Sequence, residues 1–230
     1  MKLYDYVAAP DLDIRLGPRP YLHPVRTLRG TVVTDTLPYD HPWHLGASLT
    51  MADVNGWNLW GGRTFVRGEG YVWREDHGRI RHVSPSSLVW EDGSGRTLLT
   101  EHRAITAVEA ADGWELSFAY ALTAPETVAL GSPATNGRTG GAGYGGFFWR
   151  CPPGKAVASA ANGSADPSLT LTVDDSYRLV FSGLQDADRW FVRTDEYIGV
   201  CAALAFTDPL VIPAGETLRR EIRVLIADVG

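Results

Sequence analysis

The chain has 230 residues, of which 44% are hydrophobic and 21% charged, and its formal net charge is −6. A chain this acidic, with no run of Lys or Arg, is a poor candidate for nucleic-acid binding, because contacts to phosphates dominate that affinity. We also expect no membrane partner and a cytoplasmic location, because no apolar run reaches the ~20 residues of a membrane span and the start lacks the apolar core of a signal peptide.

The first distinctive segment, residues 37–64, is interrupted too often by Pro, Gly, Trp and His to predict a regular helix or strand. Its stretch "LPYDHPWHLG" contains His41 and His44, and "YLHPVRT" upstream adds His23. Such imidazoles could converge as three ligands of a divalent metal such as Zn²⁺ or Fe²⁺, or act as general acid and base near neutral pH. A purely structural role in His-Pro turns is the alternative.

Residues 53–70, "DVNGWNLWGGRTFVRGEG", continue this irregular region. Trp57 and Trp60 present flat apolar faces, and the amide of Asn58 and the guanidinium of Arg63 are close to them in sequence. A sugar ring has one apolar face of C–H groups and an edge of hydroxyls, so this combination is suited to a saccharide. An aromatic-lined cleft is also typical of small-molecule pockets in general, and filling the core is the alternative role for the tryptophans.

Short strands with alternating apolar residues follow from residue 87 onwards. Residues 87–101 predict two strands around a turn, and residues 96–122 predict a hairpin whose turn is Ala111-Asp112-Gly113. One face of the second hairpin strand is apolar and should meet the core: Trp114, Leu116, Phe118, Tyr120 and Leu122.

Residues 131–155, "GSPATNGRTGGAGYGGFFWRCPPGK", form a second irregular segment. Because it contains three consecutive large side chains, we interpret it as a loop lining a concave surface with residues 37–64, and not as a linker between domains. Its glycines permit close backbone approach, which would deliver Trp149 and Arg150 to this surface. Arg150 could there bind a carboxylate or a pair of hydroxyls, or form a structural ion pair.

Further alternating strands are predicted at residues 169–173, 177–183 and 220–227. Roughly a dozen short strands, with Gly and Pro in their connections, predict an all-β fold. We expect a single large antiparallel β-sandwich over residues 1–230, with few or no helices. Cys151 and Cys201 form neither a CxxC motif nor a disulfide framework, so we expect free thiols.

Several motifs, in order over most of the chain, resemble those of the DUF6807 family: "PRPYLHPVRT", "VTDTLPYDHPWHLG", "DVNGWNLWGGRTFVRGEGY", "DHGRIRH", "GSPATNGR", "GYGGFFWR" and "FVRTDEYIG". The resemblance implies a β-sandwich similar to galactose mutarotase and an association with carbohydrate metabolism. Mutarotases use histidine and carboxylate for acid–base chemistry on a sugar, so His23, His41 and His44 are carried forward. A methane-oxygenase activity, sometimes attributed to the family, does not fit, because that membrane subunit needs long apolar spans.

The leading hypothesis is an enzyme without an organic cofactor, an isomerase, lyase or hydrolase, that performs acid–base chemistry on a saccharide or oxidised sugar. Two alternatives stay open: a metal-dependent enzyme with His23, His41 and His44 as ligands, and a non-catalytic carbohydrate-binding module. The predicted catalytic residues are His23, His41, His44 and Arg150. The predicted ligand-binding residues are Trp43, Asn58, Trp60, Arg63, His77 and Trp149. We expect His44 to face a wet cleft, so that His44→Ala leaves the melting temperature nearly unchanged.

Overall fold

The computed structural model describes residues 2–230. Within them it contains nineteen β-strands and one turn of 3-10 helix at Ile14–Leu16, and no helix there is long and apolar enough to cross a membrane. The predicted all-β class is therefore confirmed. In chain order the strands are β1 (Tyr4–Val7), β2 (Tyr21–Val25), β3 (Ala47–Thr50), β4 (Asp53–Val54), β5 (Thr64–Val66), β6 (Gly70–Val72), β7 (Arg79–Ser84), β8 (Ser87–Glu91), β9 (Thr97–Ala110), β10 (Gly113–Thr123), β11 (Val128–Gly131), β12 (Gly146–Arg150), β13 (Ala156–Ala158), β14 (Ser168–Val173), β15 (Tyr177–Ser182), β16 (Arg189–Arg193), β17 (Gly199–Ala203), β18 (Leu210–Ile212) and β19 (Thr217–Asp228).

Two large antiparallel sheets dominate the molecule. The six-stranded sheet has the order β1-β2-β3-β12-β17-β16. The eight-stranded sheet has the order β13-β14-β15-β19-β10-β9-β8-β7. A three-stranded sheet, β18-β11-β4, and the hairpin β5-β6 complete the set. The predicted hairpin across Ala111-Asp112-Gly113 is confirmed, because β9 and β10 pair in register from Gly113–Ala110 onwards.

The core lies between the two large sheets. The apolar face predicted for β10 is buried throughout, from Trp114 to Leu122, while the alternate side chains are more exposed. Phe118 of β10 meets Phe147 of β12 with 4.7 Å between ring centroids, and Trp149 of β12 meets Phe181 of β15 at 5.8 Å. Because these contacts join the two sheets face to face, the fold is a β-sandwich.

The six-stranded sheet is covered on its other face as well. Every residue of β12 and β17 is buried, which is expected only for strands with both faces covered. A second apolar cluster forms on this outer face, where Phe148 of β12 and Phe191 of β16 pack with Trp60 from the irregular region. This second face of the sheet is the base on which the candidate site is built. Cys151 and Cys201 are both free and buried.

Candidate functional site

A cavity of about 710 Å³ lies over this outer cluster, a volume within the ~300–1,000 Å³ typical of ligand pockets. Four stretches of chain line it: residues 39–44, 60–73, 138–144 and 191–197. Its walls are largely aromatic, formed by Tyr39, Trp43, Trp60, Tyr71, Trp73, Tyr144, Phe191 and Tyr197. Its charged and imidazole groups are Asp40, His41, His44, Arg63, Arg138, Arg193 and Glu196.

A tight loop brings His41 and His44 together. The amide of Leu37 donates to the carbonyl of His44 at 3.0 Å, and the amide of His44 donates to the carbonyl of His41 at 2.9 Å. Because the residues are three apart in one turn, their rings stack with 4.7 Å between centroids and 13° between planes. Tyr197 packs against both imidazoles, with its centroid 5.0 Å from each.

Asp40 fixes the protonation of His41. Its Oδ2 lies 2.7 Å from Nδ1 of His41, and an ionised carboxylate can only accept, so Nδ1 carries a proton, and in the neutral ring the lone pair is on Nε2. Burial alone would raise the pKa of Asp40, but hydrogen bonds from His41 and Arg150 outweigh it and hold that pKa below its ordinary value. Asp40 is therefore an anion at neutral pH.

Arg150 fixes the opposite tautomer in His44. Nη1 of Arg150 lies 3.2 Å from Nδ1 of His44, and a guanidinium can only donate, so Nδ1 of His44 is the acceptor and its proton lies on Nε2. Burial, together with the nearby guanidiniums of Arg150 and Arg19, lowers the pKa of His44 well below its ordinary value. His44 is therefore neutral, and its exposed fraction is only 2%.

Arg150 binds Asp40 and His44 from beneath the cavity. Its Nη2 donates to both carboxylate oxygens of Asp40, at 2.9 and 3.0 Å. Its guanidinium also lies over the ring of Tyr197, 4.7 Å from the centroid. The side chain is almost fully buried, so this ion pair is shielded from solvent on the arginine side and keeps the pair of imidazoles in place.

Two buried side chains position the tryptophan walls. Oδ1 of Asn58 accepts from the amides of Trp60 and Gly61, at 2.8 and 3.0 Å. Arg19, which is fully buried, donates to the carbonyls of Trp60 and Trp43, each at 3.0 Å. Burial lowers the pKa of Arg19 to about 9, so it stays a cation behind the cavity at neutral pH.

Comparison with known proteins gives one match. The model of a family of unknown function, DUF6807, matches residues 1–229. The chain belongs to the DUF6807 family. No curated protein and no solved structure gives a match, so the similarity to galactose mutarotase stays a prediction.

In this DUF6807 chain, six of the predicted site residues lie in or directly behind the large cavity: His41, His44, Trp43, Trp60, Arg63 and Arg150. Asn58 lies in an adjacent cavity of about 220 Å³. The structure does not bring the other three to the large cavity: His23, His77 and Trp149.

Each of these three has a local partner that explains its place. His23 is half-buried on β2, where Nδ1 lies 3.0 Å from the hydroxyl of Thr34. His77 is buried, with Nε2 2.7 Å from the carbonyl of Gly62. Trp149 lies in the core, because alternation along β12 turns it towards the eight-stranded sheet, and its Nε1 donates to the carbonyl of Val33 at 2.8 Å.

The three histidines do not form a metal-ligand set. His23 does not line the cavity that His41 and His44 share, and no group of three or more His, Cys, Asp or Glu side chains within residues 2–230 is arranged to hold a metal ion. The metal-dependent alternative therefore gains no support from the arrangement of donors.

Several cavity residues were not among the predicted site residues, although the family motifs contain most of them. Asp40 stands directly before His41 in "DHPWH", and Arg138 ends "GSPATNGR". The motif "FVRTDEYIG" supplies Arg193 and Tyr197. Their membership of these motifs was the available signal. Trp73 lies just past the motif ending in "GEGY", so no motif pointed to it.

Proposed function

We propose that this DUF6807 protein is an enzyme that moves protons on a saccharide without an organic cofactor, with His41 as the group that transfers the proton and neutral His44 as the hydrogen-bond donor to the reacting oxygen. One observation carries the proposal. Two stacked imidazoles at the cavity have opposite tautomers, one offering a lone pair on Nε2 and the other a proton on Nε2. Neither Nε2 has a hydrogen-bond partner among residues 2–230, so both are free for a ligand.

The residues divide the chemistry between them. His41 accepts a proton from the sugar at Nε2, and Asp40 stabilises the imidazolium that forms. His44 stays neutral and donates a hydrogen bond from Nε2 to an oxygen of the same sugar, such as a ring oxygen or a carbonyl. The imidazolium of His41 then returns its proton to the product or the leaving group. Arg150 keeps Asp40 ionised and holds the Nδ1 edge of His44. These roles fit an isomerase, a lyase or a hydrolase, and a placed acid–base group contributes ~10²–10⁴ in rate.

The walls of the cavity support a saccharide as substrate. Trp43 and Trp73 meet edge to face at 6.1 Å, and Trp60 and Tyr144 meet at 4.7 Å. Aromatic faces accept the C–H face of a sugar ring, while the charged groups between them bind hydroxyls. The same walls favour a second candidate, a carbohydrate-binding module that performs no reaction.

Proton NMR in D₂O tests the proposal for all of these reaction classes at once, because anomer exchange, deuterium uptake, elimination and hydrolysis each change the spectrum. A panel of neutral and oxidised sugars is incubated with the wild type, His41→Gln, His44→Gln and the control His102→Gln. His102 is exposed on β9, in the other sheet. We expect turnover by the wild type and the control, and a loss of about 10²-fold or more in the two cavity variants.

Equal turnover in His41→Gln and the wild type would contradict the acid–base role. Saturable binding of a sugar with no spectral change over the whole panel would favour the binding module.

A further inference from the structure

We infer that the saccharide carries a carboxylate, and that Arg138 and Arg193 bind it. The inference rests on the proposed function in one respect, that the ligand is a saccharide. It concerns the recognition of charge at one end of the cavity, and not the transfer of protons at the other.

The cavity lining contains three arginines that form no ion pair within the described residues. Arg63, Arg138 and Arg193 line it, and within residues 2–230 none of the three has a carboxylate within 4 Å. Of the two carboxylates in the lining, Asp40 is already bound by Arg150 and His41, so Glu196 alone stands against the three arginines. In a chain with a net charge of −6, this local excess of cations indicates an anionic ligand.

Aromatic rings restrain the guanidiniums of Arg138 and Arg193 before any ligand binds. The guanidinium of Arg138 lies 4.7 Å from the ring centroid of Tyr71 and donates to its hydroxyl. The guanidinium of Arg193 lies 4.2 Å from the centroid of Phe191 and donates to the carbonyl of Val192 at 2.9 Å. Stacking restrains each planar group while leaving donors unused, so little conformational entropy is lost when a ligand binds.

These two arginines lie near the same end of the cavity. Nη2 of Arg193 is 3.4 Å from the carbonyl of Gly141, three residues after Arg138. Aromatic rings connect this end to the imidazoles: Trp60 meets His44 at 5.9 Å and Tyr144 at 4.7 Å, and Tyr144 meets Phe191 at 5.5 Å. A sugar lying along these rings presents its acid group to the arginines and its reacting carbon to the histidines.

The rest of the lining favours a carboxylate over a phosphate. A guanidinium pairs bidentately with either group. Phosphate sites commonly add a helix N-terminus or a lysine. Within residues 2–230 the only helix is the single turn Ile14–Leu16, and neither Lys2 nor Lys155 lines the cavity.

Isothermal titration calorimetry with matched ligands tests the inference. The pairs are D-glucuronate with D-glucose, D-galacturonate with D-galactose, and D-gluconate with D-sorbitol, and D-glucose 6-phosphate is included as the phosphate arm. We expect at least one acid to bind about tenfold or more tightly than its neutral partner. We expect the double variant Arg138→Gln/Arg193→Gln to lose that preference, so that the acid and its neutral partner bind with similar affinity.

The matched control is Arg219→Gln, because Arg219 is exposed, has no carboxylate partner within residues 2–230 and lies on β19, outside the cavity. It should keep the preference. Three results overturn the inference: no acid binds more tightly than its neutral partner, the preference survives in the double variant, or glucose 6-phosphate binds more tightly than every carboxylate. His41→Gln separates the two proposals, because it should keep the preference for acids even when turnover is lost.

Discussion

His44 illustrates how burial changes both the role and the cost of a side chain at this site. His44 lines the cavity, but the expectation that it contributes little packing is wrong, because the residue is only 2% exposed and its ring packs against Trp60, Phe148 and Tyr197. His44→Ala should therefore lower the melting temperature, contrary to the sequence-based expectation. It removes the packed ring and leaves Nη1 of Arg150 without its acceptor, at a cost of about 2 kcal/mol or more.

The lowered pKa of His44 predicts a pH dependence of stability. In the unfolded chain a histidine takes up a proton near its ordinary pKa of 6.5, whereas folded His44 resists protonation. As the pH falls from 7 to 5, the unfolded state binds more protons, so the free energy of unfolding decreases by up to about 1.4 kcal/mol per pH unit. His44→Gln keeps an acceptor for Arg150 but does not titrate, so its decrease should be shallower.

Urea denaturation of both proteins at pH 7, 6 and 5 measures the difference. His23, whose pKa burial also lowers, titrates in both proteins and cancels in the comparison. Parallel decreases in the two proteins would show that His44 does not resist protonation in the folded state.

Trp149 belongs to the core, and its substitution should separate stability from ligand binding. Trp149→Phe removes the Nε1 hydrogen bond to the carbonyl of Val33, so we expect the free energy of unfolding to fall by about 1–3 kcal/mol, with saccharide affinity unchanged. Trp73→Ala is the reciprocal variant, because Trp73 is 53% exposed and lines the cavity. It should lower affinity with little change in stability. A loss of affinity in Trp149→Phe at unchanged stability would indicate that Trp149 contributes to ligand binding and not to the core.

At the scale of the elements, the sequence predicts those strands that have one buried face. The apolar alternation of β10 identifies both the strand and the side that meets the core. Strand β12 is buried on both faces, so its sequence "GFFWR" shows no alternation that could distinguish Phe148, on the cavity side, from Trp149, on the core side. The misplacement of Trp149 follows from this ambiguity.

The site was most readily predicted where its residues are neighbours in sequence. His41, His44 and Trp43 come from one turn, and their density was visible. Arg138 and Arg193 reach the same cavity from distant segments, because the sheet order places β12 beside β17 and β17 beside β16. That order depends on long-range pairing, which no local pattern encodes.

The turn containing Gly61 and Gly62 allows Trp43 to pack as a cavity wall. Gly62 has φ +69°, and a Cβ there would lie 2.5 Å from two atoms of the Trp43 ring. Gly62→Ala should therefore displace this ring and lower both saccharide affinity and the melting temperature. Gly68→Ala is the matched control, because Gly68 has φ +84° but nothing within 4 Å of such a Cβ. Both variants carry the cost of a left-handed alanine, about 1–2 kcal/mol.

Calorimetric titration and thermal melts of the two variants isolate the steric effect from this shared backbone strain. Equal affinity in Gly62→Ala and Gly68→Ala would mean that the Trp43 ring does not contribute to the ligand site.

At the scale of the whole molecule, one core joins the two sheets, and strand β19 pairs with both β10 and β15 in the centre of the larger sheet. We therefore predict that residues 1–230 unfold as one unit. Differential scanning calorimetry should give one transition whose calorimetric and van't Hoff enthalpies agree. Two resolved transitions would contradict the single domain predicted from the sequence.

Seven of the eight tryptophans fall into two environments, which gives the protein an internal optical reporter. Trp43, Trp60 and Trp73 line the cavity, and four others are sealed in the core: Trp90, Trp114, Trp149 and Trp190. A ligand that fills the cavity removes water from around Trp73 and leaves the core indoles untouched. Its binding should shift the emission of the solvated indoles to shorter wavelength and shield them from iodide quenching, over a constant background from the core. Unlabelled sugars can thus be screened by fluorescence before any product has been identified.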